Sequence, residues 1–337
     1  MFKTQVKSSD LSQEEMKNKL VFPINWNLWN KIQKLYQKLD NHQKQTTPNQ
    51  ITSVLLSLPE FVDLSYWCSP IRDQGSSNSC TAHAGIALIE YFEKKSSKTY
   101  IDCSSLFLYK VTRNLIQTQG DSGASVRDTM KAMVGFGVCP EKYWSFDKHK
   151  FDEEPTAFCY SFAENYKTLQ YFRLDYALIS NSMLLAQVKV LLACEIPCIF
   201  GFTLYNSVYD EVNVQRGHIP LPYEQNEVIG GHTVVAVGYY DHKVIENAYG
   251  DRTEGALLIR NSWGTAWGQG GYGWLPYDYI TEGLTADWWS LLKAEWLATG
   301  KFGAGASAWG GGGHEPVEHD QGGTKTTTTT TNYPPSP

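Results

Sequence analysis

The order of secondary-structure signals along the chain constrains its fold more than any other feature. Across residues 80–136, apolar side chains recur at helical spacing, with a capping residue such as Ser125 before a helix and glycines after it. After residue 187 the pattern changes to short apolar, β-branched segments, at residues 197–205, 232–240, 256–260 and 271–275. A helical half followed by a strand-rich half predicts an α+β fold of two lobes with a cleft between them.

Composition divides the 337 residues into three parts. Residues 1–52 are mostly polar, with one amphipathic helix signal at residues 28–39, and form an N-terminal extension. Residues 53–298 carry the folded domain, whose last element is expected at residues 285–297. Residues 299–337 are rich in Gly, Thr and Pro, which predicts a disordered tail.

The distribution of charge and hydropathy excludes several function classes. The net charge is -6, and the Lys and Arg residues are scattered, so no surface for nucleic acid or anionic lipid is expected. No apolar run reaches membrane-spanning length. The polar first ten residues lack the apolar core of a secretory signal, which predicts a cytoplasmic protein and leaves another export route open.

Seven cysteines, an odd number without a repeating spacing, argue against a disulfide scaffold. Cys194 and Cys198 have the spacing of half a zinc site, but no second Cys/His pair matches them, and the residues around them are apolar. Buried free thiols are the favoured interpretation. The sequence therefore predicts no metal and no cofactor.

Cys80 is the first candidate catalytic residue. It follows a run of small, turn-forming residues and begins a helical pattern, so its sulfur should lie at a helix N-terminus, where a thiolate is stabilised. Gln74 precedes it by six residues. A side-chain amide beside a nucleophile, together with the Cys80 N–H, can bind the oxyanion of a tetrahedral intermediate. Without a cysteine nearby, Gln74 would be interpreted as an ordinary polar surface residue.

A nucleophilic thiol needs a base, and the base needs an orienting partner. His232 begins a buried-looking strand after two glycines, and Asn261 ends the next apolar strand, so the two can meet where the strands end. Trp263 can then shield their hydrogen bond from water. Alone, His232 would be interpreted as a core histidine; the rival bases are His83, three residues after Cys80, and, less favoured, His218.

Three segments together resemble the active-site motifs of the papain-like cysteine peptidases, family C1. They are Gln-Gly-Ser-Ser-Asn-Ser-Cys at residues 74–80, Gly231-His232, and Asn-Ser-Trp-Gly-Thr-Ala-Trp-Gly at residues 261–268. The resemblance spans about residues 58–280 and favours bacterial or viral-type members over lysosomal cathepsins. It implies a helical left lobe, a β-barrel-like right lobe, a thiolate–imidazolium pair across the cleft, and peptide-bond hydrolysis through an acyl-enzyme.

The chain departs from the family pattern around the nucleophile. Ser77 replaces a cysteine that family members usually pair in a disulfide, which weakens any inference of an oxidising compartment. Asn78 and Thr81 replace a glycine and a tryptophan, which puts substrate preference in doubt. A polar insertion at residues 241–255 should form a hairpin. Gly123 is a weak match to the glycine pair that binds the substrate backbone.

Three functions follow from these residues. The first is peptide-bond hydrolysis of a peptide or protein substrate; the second is acyl transfer or deamidation at the same Cys-His-Asn site; the third is silent peptide binding. Residues 1–52 are either a propeptide that autoinhibits the enzyme or a structural extension.

Overall fold

The computed structural model describes residues 58–166, 169–177 and 179–293. The helices are α1 Cys80–Ser97, α2 Ser105–Leu115, α3 Val126–Phe136, α4 Ala157–Ala163, α5 Asn181–Ala193, α6 Glu211–Arg216 and α7 Asp278–Thr281. The strands are β1 Phe61–Asp63, β2 Leu169–Arg173, β3 Cys198–Tyr205, β4 Val228–Glu246, β5 Arg252–Arg260, β6 Tyr272–Pro276 and β7 Thr285–Lys293. Short 3-10 turns connect several of them. The predicted extension at residues 1–52 and the tail at residues 299–337 lie outside the described residues.

The helical lobe forms where the caps predict it. Ser104 caps α2 by accepting a hydrogen bond from the Phe107 N–H, and Ser125 caps α3 in the same way. Gly137 ends α3 with a φ of 74°, a conformation that glycine adopts without strain. α1 is buried along most of its length and packs against α2, α3 and β4. The predicted helical first half is confirmed.

The strands form one antiparallel sheet in the order β2-β7-β3-β4-β5-β6, with β1 paired to β4. The α+β class is therefore confirmed. The β-barrel-like right lobe is not: β2 and β6 lie at opposite edges of the described sheet, which stays open. Closure would require those two edge strands to pair, and the sheet instead ends with each of them bonded on one side only.

The insertion at residues 241–255 is a hairpin, as predicted. β4 runs on to Glu246, the chain turns, and β5 returns along it from Arg252. The turn is closed by Asn247, whose side-chain oxygen accepts hydrogen bonds from the N–H groups of Tyr249 and Asp251. The insertion therefore lengthens two existing strands away from the cleft.

The last described element is the strand β7. Both faces of this strand are covered, because Trp288, Trp289, Ser290 and Leu291 are all buried. β7 lies between β2 and β3, and Trp288 stacks on Phe200 with ring centroids 3.9 Å apart. Residues 294–297 of the predicted element lie outside the described residues.

The two lobes are joined directly beneath the cleft. The Gln74 N–H donates to the Ser262 carbonyl at 2.8 Å, which ties the loop before α1 to the end of β5. The buried Arg260 guanidinium donates to the carbonyls of Ser69 and Pro70. These bonds fix the start of α1 relative to the ends of the strands. Among the described residues, no helix has the length and apolar character to cross a membrane.

Candidate active site

Cys80 is the first residue of α1, at the wall of a cleft of about 1150 Å³ between the lobes. The same cleft is lined by four of the five other sequence-predicted site residues, Gln74, Gly123, His232 and Trp263, and the fifth, Asn261, is buried. The first N–H groups of a helix have no partner within the helix, and they face the end where the sulfur lies. The predicted nucleophile is therefore half-buried, at a helix N-terminus, in the groove between the lobes.

His232 and Asn261 are brought together by the pairing of β4 with β5. Val235 of β4 lies opposite Arg260 of β5, so His232 and Asn261 stand at the same end of the strand pair. His232 Nε2 lies 2.8 Å from Asn261 Oδ1, and this bond fixes the ring. Since the amide oxygen accepts, Nε2 carries the proton in the neutral ring, and Nδ1 is left to act as the base.

Aromatic side chains enclose the histidine. The Trp263 ring stacks on His232, with centroids 4.4 Å apart and planes 23° apart, and the Phe202 ring packs edge-on at 5.7 Å. Trp263 itself lies against Trp267. The bond between His232 and Asn261 is buried, and the Trp263 ring lies over the histidine that makes it.

Burial disfavours charge on both Cys80 and His232. It raises the pKa of the Cys80 thiol, although hydrogen bonds from the Thr233 backbone and hydroxyl oppose the rise. Burial also lowers the pKa of His232 to about 4, and the hydrogen bond with Asn261 raises this pKa by a smaller amount. A proton passed from sulfur to imidazole leaves two opposite charges in the same cleft, and their attraction opposes both desolvation effects.

Gln74 has the geometry of an oxyanion donor. Its side chain is 7% exposed, its Oε1 accepts from the Ser262 hydroxyl at 2.5 Å, and its Nε2 donates to the Ser77 carbonyl at 2.6 Å. An amide nitrogen carries two hydrogens, so one remains for the cleft. Ser262, which orients the amide, was not identified from the sequence.

Replacing Gln74 with alanine is expected to lower kcat/KM for a peptide substrate by about 10²- to 10³-fold, because one oxyanion donor is lost. Initial rates with a fluorogenic peptide measure the effect. Gln74→Glu is the matched control: it keeps the side-chain length but cannot donate when ionised, so it should be equally impaired. A Gln74→Glu variant with full activity would contradict the role.

The rival histidines lie elsewhere. His83 is buried inside the helical lobe, with Nδ1 3.1 Å from the Ser79 carbonyl and Nε2 3.3 Å from the Ser105 hydroxyl. His218 lies beside β6, in a bridge with Trp274. Neither lines the cleft. Of the three histidines weighed, His232 alone faces the nucleophile's groove and binds an asparagine.

The buried histidines predict acid sensitivity. Burial lowers the pKa of His83 to about 4, from the 6.5 expected of an exposed histidine. Between pH 6.5 and 4 the unfolded chain therefore binds this proton and the folded chain does not, so the free energy of unfolding falls as the pH falls, by about 1.4 kcal/mol per pH unit for each such histidine. Urea titrations at pH 6.5 and 5 measure the free energy of unfolding at each pH. His83→Gln should show a shallower dependence than the parent; an unchanged slope would contradict the assignment.

Comparison with known proteins identifies the family. A sequence profile described as "Papain family cysteine protease" matches residues 58–284. The chain belongs to this family. A curated peptidase C1-like protein of Acanthamoeba polyphaga mimivirus is 32% identical over 248 residues, which cover 72% of this chain and 76% of the relative. Peptidase 1 of Euroglyphus maynei is 25% identical over 273 residues, covering 79% and 73%.

Solved structures agree with this assignment. Xylellain, a cysteine protease from Xylella fastidiosa, superposes with a TM-score of 0.59 at 33% identity, covering 72% of this chain and 88% of that one. A Carica candamarcensis cysteine protease in complex with E-64 is similar in fold, with a TM-score of 0.50 at 20% identity and coverage of 70% and 99%. The chain is thus a cysteine-type peptidase with bacterial and viral relatives, as the sequence motifs predict.

At Ser77, the position where the family resemblance implies a disulfide-bonded cysteine, this chain has hydrogen bonds. Ser77 donates to the Gln74 carbonyl and contacts the Ser79 hydroxyl. The next residue, Asn78, binds Asp121 three times: its N–H contacts both carboxylate oxygens at 2.9 and 3.0 Å, and its Nδ2 donates to the Asp121 carbonyl at 2.8 Å. We call this set of bonds the Asn78–Asp121 clamp. No local sequence pattern indicates this clamp, because its partners are 43 residues apart.

Asn78 and Thr81, the other two residues that differ from the family pattern, differ in their effect on the cleft. Asn78 lines it beside Cys80, so this substitution does change its surface. Thr81 is buried behind the nucleophile and does not line the cleft, and its hydroxyl has no hydrogen-bond partner among the described residues.

Gly123 lines the cleft with a φ of +72°, but its backbone is already engaged. Its N–H donates to the Tyr109 hydroxyl at 2.9 Å, and its carbonyl accepts from the Ser122 hydroxyl at 3.3 Å. Tyr109 in turn donates to Asp121 of the clamp. The pairing of Gly123 with a substrate backbone stays a prediction.

The cysteines outside the cleft are thiols. The seven cysteines are all free, and every one except Cys80 is buried. Cys194 and Cys198, considered above for zinc, lie in the core, where burial raises their pKa values. In the described part of the chain, no group of three or more His, Cys, Asp or Glu side chains is arranged to hold a metal ion.

Proposed function

We propose that this chain hydrolyses peptide bonds with Cys80 as nucleophile, His232 as general base and acid, and Asn261 as the residue that orients His232. The observation that carries the proposal is the 2.8 Å bond between His232 and Asn261, enclosed by Trp263, in the same cleft as a cysteine at a helix N-terminus. Nucleophile, base and orienting group are the three parts that acyl transfer to a thiol requires.

The first half of the reaction forms an acyl-enzyme. His232 Nδ1 takes the thiol proton, which gives a thiolate–imidazolium pair, and the Cys80 sulfur attacks the carbonyl carbon of the scissile peptide bond. The negative charge on the carbonyl oxygen is bound by Gln74 Nε2 and the Cys80 N–H. The tetrahedral intermediate collapses as the imidazolium gives its proton to the leaving amine, which breaks the C–N bond.

The second half regenerates the enzyme. His232 removes a proton from water, the hydroxide attacks the thioester carbon, and the same donors bind the oxyanion. The thiolate leaves, and the carboxylic acid product is released. The buried bond to Asn261 holds the imidazole in one orientation through both halves, so the ring needs no reorientation between them.

Two measurements on purified protein test the proposal. The first is covalent labelling with E-64, the inhibitor bound in the Carica candamarcensis relative's structure, followed by peptide mapping. We expect one adduct per chain, at Cys80, because the six other cysteines are buried and serve as internal controls. Labelling should be lost when His232 is replaced by alanine, since the thiolate is the reactive form.

The second measurement is the mass of the products from a peptide mixture. Hydrolysis adds one water across the cut bond, whereas acyl transfer to an added amine gives a new amide, and deamidation raises the mass of an uncut peptide by about one dalton through replacement of NH₂ by OH. Two shorter peptides that sum to the substrate plus water support the proposal. Stoichiometric E-64 labelling without any cut peptide would overturn it.

A further inference from the structure

A line of buried polar side chains runs from the helical lobe to the loop that carries Gln74. Its members are Ser105 at the start of α2, His83 in the first turn of α1, Ser79 just before α1, and Ser77 in the loop. All four are buried, as Gln74 is. We call these four residues the serine–histidine network. Since buried polar groups are normally hydrogen-bonded, the bonds of each member can be traced.

Each member of the network lies within hydrogen-bonding distance of the next. Ser105 Oγ is 3.3 Å from His83 Nε2, and His83 Nδ1 is 3.1 Å from both the hydroxyl and the carbonyl oxygen of Ser79. Ser79 Oγ is 2.6 Å from Ser77 Oγ, and the Ser77 hydroxyl donates to the Gln74 carbonyl at 2.8 Å. The network therefore links α2 to the oxyanion donor without a break.

Two carbonyl groups fix the direction of every bond. The Ser79 carbonyl can only accept, so His83 Nδ1 carries a hydrogen. Burial lowers the pKa of His83 to about 4, so the ring is neutral at neutral pH and its Nε2 accepts from Ser105. Ser77 gives its one hydroxyl hydrogen to the Gln74 carbonyl, so Ser79 must donate to Ser77. All the bonds point towards Gln74, and bonds aligned in this way strengthen one another.

The Ser79 hydroxyl serves this network and not its own helix. Ser79 is the N-cap residue of α1, yet its side chain makes no capping bond. The serines before α2, α3 and α5, which are Ser104, Ser125 and Ser180, each accept a hydrogen bond from an N–H of the first turn. Helix capping therefore does not account for the hydroxyl at residue 79.

The end of the network closes a ring of bonds with Gln74. The Gln74 carbonyl accepts from both the hydroxyl and the N–H of Ser77, at 2.8 and 3.3 Å, and Gln74 Nε2 donates back to the Ser77 carbonyl at 2.6 Å. These bonds set the direction of the second Nε2 hydrogen. Because an oxyanion donor acts only at the correct distance, a shift of Ser77 would weaken it.

We infer that Ser77 and Ser79 are positioning residues for the oxyanion hole: through the network they hold Gln74 Nε2 where negative charge develops in the reaction. Ser79 acts through Ser77, and Ser77 acts through its ring of bonds with Gln74. His83 anchors the inner end, where glutamine, with one donor and one acceptor group, can replace it. The inference rests on the proposed peptidase function and extends it to residues that do not react.

Ser79→Ala tests the network, because it removes one hydroxyl and leaves the neighbouring donors paired. The Ser77 hydroxyl still donates to Gln74, and His83 Nδ1 still donates to the carbonyl of residue 79, so the variant should fold. We expect kcat for a fluorogenic peptide to fall about tenfold with KM unchanged, because the oxyanion donor acts in the transition state.

A double-mutant cycle with Gln74→Ala distinguishes positioning from a general structural effect. In the Gln74→Ala background, Ser79→Ala should change kcat by less than about twofold, because the group that Ser79 positions is gone. Equal losses in both backgrounds, or an unchanged kcat for Ser79→Ala alone, would overturn the inference.

Ser104→Ala is the matched control. Ser104 is also a fully buried N-cap residue, but its hydroxyl caps α2 and it does not line the cleft. Its loss should lower the melting temperature and leave kcat within about twofold of the parent.

The direction of the network can be measured without a substrate. The ring nitrogen chemical shifts of His83, assigned by their absence in His83→Gln, report which nitrogen carries the hydrogen. Hydrogen on Nδ1 supports the inference, and hydrogen on Nε2 would overturn it. Failure of the proposed function looks different: a parent enzyme that cuts no peptide would refute the hydrolysis itself, and the positioning role with it.

Discussion

Replacing Cys80 with alanine is expected to lower kcat for peptide hydrolysis by about 10⁶-fold, the size of effect seen when the nucleophile of other acyl-transfer enzymes is removed. The reason is chemical: without sulfur no thioester forms, and His232 has no proton to accept from the first step. Turnover of a fluorogenic peptide over hours measures the residual rate. Peptide binding should survive, because the cleft walls and the oxyanion donors are unchanged.

Cys194→Ala is the matched control for this variant. Cys194 is a buried thiol at the end of α5 and does not line the cleft, so its loss should leave the activity per folded molecule within about twofold of the parent. Calorimetric binding of an uncleaved peptide to Cys80→Ala separates lost chemistry from lost binding. Retention of turnover by Cys80→Ala would mean that another residue performs the attack.

The second large effect concerns the base. His232→Ala should lower kcat/KM by about 10⁴-fold, at the upper end for loss of general acid–base catalysis, because the same imidazole activates the thiol and protonates the leaving amine. The variant also leaves Asn261 Oδ1 without the ring that it orients. The readout is kcat/KM as a function of pH. The residual activity should increase towards alkaline pH, where hydroxide ionises the thiol directly.

His83→Gln is the control for the base assignment. Its imidazole bonds within the helical lobe, so glutamine there should change stability but leave kcat/KM at neutral pH within a few-fold of the parent. The melting temperature of both variants accounts for any unfolding. If His83→Gln lost catalysis and His232→Ala kept it, the roles of the two histidines would be reversed.

Local signals explain why so much of the site was predictable. Ser104 and Ser125 cap helices that begin at the next residue, because a cap depends on residues within a few positions of it. His232 and Asn261 could be paired because apolar strands that run antiparallel end together, and a β-branched strand can be recognised from its own residues. The position of Cys80 at a helix start, which the sequence predicts, makes it the candidate nucleophile.

Long-range geometry explains what was missed. Whether a sheet closes depends on strand tilt and stagger, which no single strand encodes, so the open sheet could not be predicted. Trp288 and Leu291 fit a helical spacing as well as a strand buried on both faces, and only the neighbours of β7 distinguish the two.

The Asn78–Asp121 clamp has a practical consequence for the redox chemistry of the enzyme. As the proposed nucleophile, Cys80 can react only as a reduced thiol, so a thiol reagent that reverses its oxidation should maintain activity. The same reagent would open a disulfide beside the nucleophile, but it cannot affect hydrogen bonds between Asn78 and Asp121. The redox state of the Cys80 thiol and the hydrogen bonds between Asn78 and Asp121 are therefore chemically independent. Strong reducing conditions keep the thiol reduced and leave these hydrogen bonds intact.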